Sequence, residues 1–473
     1  MTPNSMVSVG DIAEVFDGPH ATPKKLESGP YFLSISSLIK GALDLSQSAH
    51  LSEEDFKQWT KRVTPEPGDI LFSYETRLGE AAMMPTGIRA CLGRRMGLLR
   101  PDRTRVIPEY LLYAYLSPDF QSTIEQRKIH GATVDRIALK ELPSFPIRVP
   151  SIAEQRVVVD NLKALDDKIQ LNHKINQTLE QMAQTIFKSW FVDFEPAKAK
   201  IAALEAGGSD EGALLAAMQA ISGKGEAELT RLQAGQPEQY AELRATAELF
   251  PSALQDSELG EIPEGWEVAP LSAMVNLIGG GTPKKSEPAF WNGNICWFSV
   301  KDVPSDGNVF VVETEDKITE EGLNRSSTKL LPIGTTIITA RGTVGKLALT
   351  GVSTAMNQSC YGVVASDETG PYLNYLRLSE GVDTLKRNTH GAVFDTITRS
   401  TFDTVLQSRS CLALRQRFEQ TVTPMFEAIR NNLIQSNTLS EARDSLLPKL
   451  LSGELAVSAA ETQLTDAEEL ADV

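Results

Sequence analysis

The chain has 473 residues, 41% hydrophobic and 23% charged, with a formal net charge of −16, an ordinary globular balance with room for roughly three domains. No apolar run approaches the roughly 18–20 residues that span a bilayer, and the opening MTPNSMVSVGDIAEVF lacks the charged-then-apolar order of a secretory signal. Cys91, Cys296, Cys360 and Cys411 have no CxxC or ligand-like spacing, so each is expected to pack as a small apolar residue in a reducing cytoplasm.

The acid is unevenly spread. Residues 1–150 carry 18 basic and 18 acidic side chains, residues 151–260 carry 10 and 17, residues 261–453 carry 18 and 21, and the last twenty carry 6 acids and no base. The two large segments are thus near neutral, which permits a basic face and DNA binding without demonstrating either.

In chain order, the first segment (1–150) is mixed. ATPKK at 21–25 puts Lys24 and Lys25 after a Thr-Pro turn, where they suit phosphate contact or simply a solvated turn. DILFSY has the composition of a buried strand, with Arg77 just beyond it on a strand-end loop. CLGRR supplies the local pair Arg94 and Arg95; PEYLLYAYLS reads as a short helix; Arg127, Lys128 and His130 precede a Gly-Ala turn.

Residues 151–195 then form a long helix. Leu165, Ile169, Asn172, Asn176 and Leu179 step by three and four along one stripe, as in a coiled-coil seam whose polar positions weaken it but fix register. Residues 196–260, rich in Ala, Glu and Gly, read as a surface linker with short helices.

After this the pattern starts again. GTPKK at 281–285 repeats ATPKK; IGTTIITARGTVGKLAL at 333–349 repeats PGDILFSYETRLGEAAM at 67–83, with Gly334 over Gly68 and Gly345 over Gly79; HGAVFDTI at 390–397 repeats HGATVDRI at 130–137. With ALRQR at 413–417 answering IAEQR at 152–156, four matches in order, at nearly constant offset, mark a tandem duplication. The second mixed segment (261–408) offers Lys284 and Lys285 in the Thr-Pro turn, Arg341 and Lys346 past the strand, and Lys386, Arg387 and His390 before the Gly-Ala turn.

The second long helix (409–453) repeats the stripe as Met425, Ile429, Asn432, Ser436 and Leu439, polar at the same level as the first. An antiparallel pair would bring those polar levels together. Pro424 is expected to start the continuous helix at N1 behind Thr423, and Pro448 to end it ahead of Gly453. The acidic tail 454–473 reads as disordered.

No phosphate loop, HExxH, paired CxxC, GxSxG or adenine-methyltransferase motif is present, so no catalytic residue, metal or cofactor is expected. KINQTLEQMAQTIFKSWFVDFEP followed by SELGEIPEGWEVAPLSAM resembles the middle of the specificity subunits of type I restriction-modification systems. GGGTPKK with WNGNICWFSVKDV, LLPIGTTIITARGTVGKLAL and AMNQSC is similar to that family's target-recognition domain, and SLLPKLLSGEL to its closing segment. The resemblance adds Asn357 and Gln358 of MNQS to the candidate DNA contacts. The first copy departs from it, with FSYETRLGEAAM and CLGRR in place of the Arg-Gly-Thr and MNQS forms.

The resemblance implies an α+β chain of two tandem mixed α/β target-recognition domains separated by two long antiparallel coiled-coil helices. Each domain would read half of a bipartite site in double-stranded DNA. The helices would dock modification (methyltransferase) subunits, two of them, which restriction (motor-nuclease) subunits join; no membrane is involved. A spacer of about 41 residues would be roughly 60 Å long against about 34 Å for one turn of DNA. The competing reading is a duplicated coiled-coil scaffold that binds proteins rather than DNA.

Overall fold

The computed structural model describes residues 6–19, 22–39, 41–131, 134–304, 308–389, 396–452 and 454. His390 and the acidic tail beyond residue 454, both singled out above, lie outside the described residues. The chain falls into two compact units, one of residues 1–169 with 437–473 and one of residues 170–436.

The first unit is built on a four-stranded antiparallel sheet in the order Ala13–Asp17, Met96–Pro101, Ile70–Ser73, Ala81–Met83. Ile70–Ser73 is the strand expected from DILFSY, and all four of its residues are buried. Its side chains alternate between two cores, as the two-residue period of a strand requires. Ile70 and Phe72 join the core with helix Pro108–Leu116, while Leu71 joins a second core with Leu33, Leu38 and Leu98. A small sheet pairs Leu26–Phe32 antiparallel with Ala49–His50 and parallel with Ala90–Cys91.

The second unit repeats this plan. Val275–Gly279, Cys360–Ala365, Thr336–Thr339 and Leu347–Thr350 take the same order, extended by the parallel strand Phe310–Val311. Trp291–Phe298 again pairs antiparallel with one short strand and parallel with another. The glycines that match between copies have a common cause. Gly68 and Gly79 sit at φ +91° and +85°, Gly334 and Gly345 at +84° and +76°, a left-handed region that favours residues without Cβ. Helix Pro371–Arg387 is longer than its counterpart, and residues 195–248 form four helices, three of which share a small core around Leu214, Met218 and Leu229.

Each unit also contains a stretch of both long helices, Ile152–Phe191 and Leu412–Ser452. In the first unit Leu162 and Leu165 share a core with Leu439, Leu446 and Leu450, and Arg443 Nη1 lies 2.9 Å from Asp166 Oδ1. In the second unit Asn172 meets Ser436, Asn176 meets Asn432, and the Phe187 and Phe418 rings lie 6.1 Å apart. Partner numbers fall as residue numbers rise, so the helices run antiparallel.

Three expectations are corrected. The second long helix passes through Pro424 instead of starting there, and through Pro448 to Ser452. Both prolines are exposed, as are Gln420 and Asp444, whose carbonyls lose their helical donor. Water can reach that face, while Val422 and Phe426 beside it are fully buried and hold the helix in place. Cys411 is exposed rather than packed, whereas Cys91, Cys296 and Cys360 are buried.

Candidate nucleic-acid interface

In the second unit the loops named from sequence are bonded to one another. Gly281 N donates to Met356 O at 2.9 Å, and the Trp297 indole donates to Gly281 O at 3.0 Å. Thr282 is hydrogen-bonded to Gln358, while Asn357 Oδ1 accepts from Ser359 N at 2.9 Å. Ser359 O in turn accepts from Ala340 N at 2.7 Å, which leads directly to Arg341. A Cβ on Gly345 would stand 2.5 Å from Lys386 Cε, so the loop carrying Lys346 rests on the last turn of helix Pro371–Arg387.

The cations on these loops differ in freedom. Lys284, Lys285, Arg341 and Lys346 are exposed, and none forms an ion pair among the described residues. Lys386 sits 3.2 Å from Asp383, and Arg387 donates to Thr384 Oγ1 at 3.1 Å.

The first unit brings the corresponding loops together with more internal pairing. Arg95 Nε lies 2.9 Å from Glu75 Oε2, and its Nη1 donates to Thr76 Oγ1 at 3.1 Å. Arg77 pairs with Glu80 at 3.2 Å. Lys128, between Glu125 and Asp135, and His130 both reach Asp135, at 3.0 Å and 3.1 Å. Hydrogen bonds from Lys128 and then His130 hold the Asp135 carboxyl below the usual carboxylate range. Arg127 lies over the Phe145 ring at 5.0 Å and donates to Ser144. Lys24, Lys25 and Arg94 are exposed, with no ion pair among the described residues.

Sequence reasoning passed over Glu75, Thr76 and Arg136. Glu75 and Arg136 form a β-bridge at the position where Arg341 bridges Thr396, so one repeat has an acid where the other has a base. Thr76 stands at φ +76° where its counterpart Gly342 stands at +79°. A β-branched residue there is strained by about 1–3 kcal/mol. The repeat alignment that puts Gly68 over Gly334 already placed Thr76 over Gly342, and that was the available signal.

The stripe residues of the long helices are placed as follows. Leu165, Leu439 and Ile429 are at most 1% exposed, Asn176 is fully buried and Asn172 nearly so; Ile169, Leu179 and Met425 are partly buried against the cores. Asn172 Nδ2 donates to Gln435 Oε1 at 2.7 Å and Ser436 Oγ at 3.2 Å, while Asn432 Nδ2 donates to Asn176 Oδ1 at 2.8 Å. Among the described residues no group of His, Cys, Asp or Glu is placed to hold a metal ion, and no helix is long and apolar enough to cross a membrane.

A family model described as the type I restriction modification DNA specificity domain matches residues 1–181 and 263–405. The chain is 34% identical over 406 residues to the type I restriction enzyme HindI specificity subunit of Haemophilus influenzae, covering 82% of this chain and 86% of that one. It is 25% identical over 446 residues to the MjaIX specificity subunit of Methanocaldococcus jannaschii, covering 93% and 87%. Among solved structures, the type I restriction-modification S subunit from M. genitalium aligns over 95% of this chain and 99% of its own, at 12% identity and a TM-score of 0.48. The family model and the HindI relative each match most of the chain, which therefore belongs to the specificity subunits of type I restriction-modification systems, the non-catalytic subunits that confer DNA target specificity.

Proposed function

We propose that each repeat reads one half of a bipartite duplex target, and that the long helices both space the two readers and dock modification subunits, two per chain. Restriction subunits join that assembly, in the cytoplasm. The observation that carries this reading is the group of four exposed cations, Lys284, Lys285, Arg341 and Lys346, without an ion pair among the described residues, on loops of the second unit tied together through Thr282, Gln358 and Ser359. Exposed cations on braced loops suit phosphate contact, and the amide of Gln358 beside them suits a base edge. The first repeat keeps the loop plan but exchanges Arg341 for Glu75, which supports a different half-site.

Two measurements test this. Gel retardation of duplex DNA by the chain with its modification subunit should weaken steeply with salt, since phosphate neutralisation releases counterions; salt-independent retardation, or none, points to the protein-scaffold reading. Insertion of four residues beside Gln177, within the first long helix, should lengthen the preferred gap between half-sites. Methylation sequencing that returns the original gap rejects the spacer role.

A further inference from the structure

One arginine of the first repeat is held differently from the other cations on its loops. Arg95 directly precedes strand Met96–Pro101, and its carbonyl accepts from Tyr74 N at 3.2 Å, which sets it beside the loop that follows strand Ile70–Ser73. Its Nε is buried 2.9 Å from Glu75 Oε2, an ion pair without the alignment of a hydrogen bond. Its Nη1 donates to Thr76 Oγ1 at 3.1 Å. No hydrogen bond among the described residues engages Nη2, and the side chain stays 34% exposed. The guanidinium is thus held at Nε and Nη1 while its outer edge is left unused.

The backbone under this contact is strained on both sides. Among the described residues five other than glycine adopt a positive φ, and two of them, Arg95 at +69° and Thr76 at +76°, are the two joined by this hydrogen bond. Left-handed backbone is unfavourable for β-branched and bulky residues; it persists where the surroundings enforce it, and such residues cluster at binding sites.

The fold does not demand the arrangement, because the second repeat is built without it. Gly342, at φ +79°, takes the place of Thr76, and Ser359, whose carbonyl accepts from Ala340 N at 2.7 Å, takes the place of Arg95. Arg341 stands where the first repeat has Glu75. The acid, the hydroxyl and the arginine are therefore present together in one repeat and absent together from the other.

A phosphate suits this arginine poorly. Glu75 already balances its charge, and that carboxylate, on a side chain 23% exposed, repels a second anion. The neighbouring Arg94, exposed and without an ion pair among the described residues, is the better phosphate partner. A fixed, planar set of donors with no acceptor matches the one base edge that carries two acceptors side by side, O6 and N7 of guanine.

We propose that Arg95 reads a guanine from the major groove in the half-site of the first repeat, with Glu75 and Thr76 as the positioning residues that fix its guanidinium. This rests on the half-site reading above and gives one of its contacts a base.

The test sequences the methylation of random duplexes by the full chain with its modification subunit, for wild type, Arg95→Ala, Arg95→Lys and Glu75→Gln. Arg95→Ala should reduce the preference for G·C about tenfold or more at a single position of one half-site, and leave the gap and the other half-site as they were. Arg95→Lys should lose the same preference, since an ammonium does not span two acceptors in a plane. Glu75→Gln should relax that position in part. A brace that only shapes the loop would leave the base preferences in place. An Arg95→Ala motif identical to wild type overturns the proposal and spares the half-site reading. So does a preference lost at an A·T position, or an equal loss on every duplex with the motif intact. Wild-type methylation without a bipartite sequence preference overturns the half-site reading itself. Should Arg95→Ala lower the melting temperature, Arg95→Lys, which keeps a cation beside Glu75, decides by the same readout.

Discussion

Asn432 donates its side-chain amide to the side-chain oxygen of Asn176 across the paired helices, at 2.8 Å, and Asn176 is completely buried. The duplication explains the rest of the layer. Asn172 precedes Asn432, and Asn176 precedes Ser436, by the same 260 positions, so the contact of Asn172 with Ser436 is the repeat image of the contact of Asn176 with Asn432.

This geometry predicts how the layer responds to substitution. Asn176→Leu or Asn432→Leu alone leaves one buried amide without its partner and is expected to cost about 1–3 kcal/mol. The double variant should cost less than the two singles together, with a coupling of roughly 1 kcal/mol or more. Denaturant melts of the four proteins give the cycle. Additive losses would mean that the two amides do not interact in solution.

The pairing of surface cations separates candidates that look alike in sequence. Lys284→Ala with Lys285→Ala should weaken retardation of every duplex and reduce the slope of log affinity against log salt by about one to two. Lys128 is already engaged by Glu125 and Asp135, so Lys128→Ala should leave the slope unchanged. An equal loss for both variants would show that the intramolecular pairs open when DNA binds.

This difference marks the limit of what one sequence discloses. The buried strands and long helices were legible because burial imposes a period on the residues themselves: Ile70, Leu71 and Phe72 on a two-sided strand, Leu162, Leu165 and Ile169 on a helical stripe. The duplication was legible because left-handed turns keep glycine at Gly68 and Gly334. Whether a given cation is free was not, since Glu75 reaches Arg95 only after the sheet has brought residues twenty positions apart together. The charge cluster at Asp367 draws on Arg377, Arg409 and Arg415, and no local spacing announces it.

The thiols should divide sharply by reactivity. Burial pushes the Cys91 and Cys360 thiols up to about 12 and raises that of Cys296, so each stays protonated and shielded at neutral pH. Cys411 is exposed. An aromatic disulfide reagent at pH 8 should label about one thiol per native chain quickly, and Cys411→Ser should abolish that phase. Rapid release of all four would place the buried cysteines in a locally open structure.

Pro424 offers a direct test of the second helix. It lies within the continuous helix Leu412–Ser452, where it withholds a donor from the Gln420 carbonyl and crowds the preceding turn. The matching position in the first long helix is Ala164, so the repeat itself shows that alanine is accepted there. Pro424 is exposed, which removes any packing contribution that its ring would otherwise make to the buried face of Val422 and Phe426. Pro424→Ala should therefore stabilise the chain, by about 1–3 kcal/mol from the restored hydrogen bond and the relieved clash. Thermal melting of the single variant reads this directly. A lower melting temperature would mean that proline's restriction of the unfolded chain outweighs the helical defect, which requires a helix already broken at residue 424.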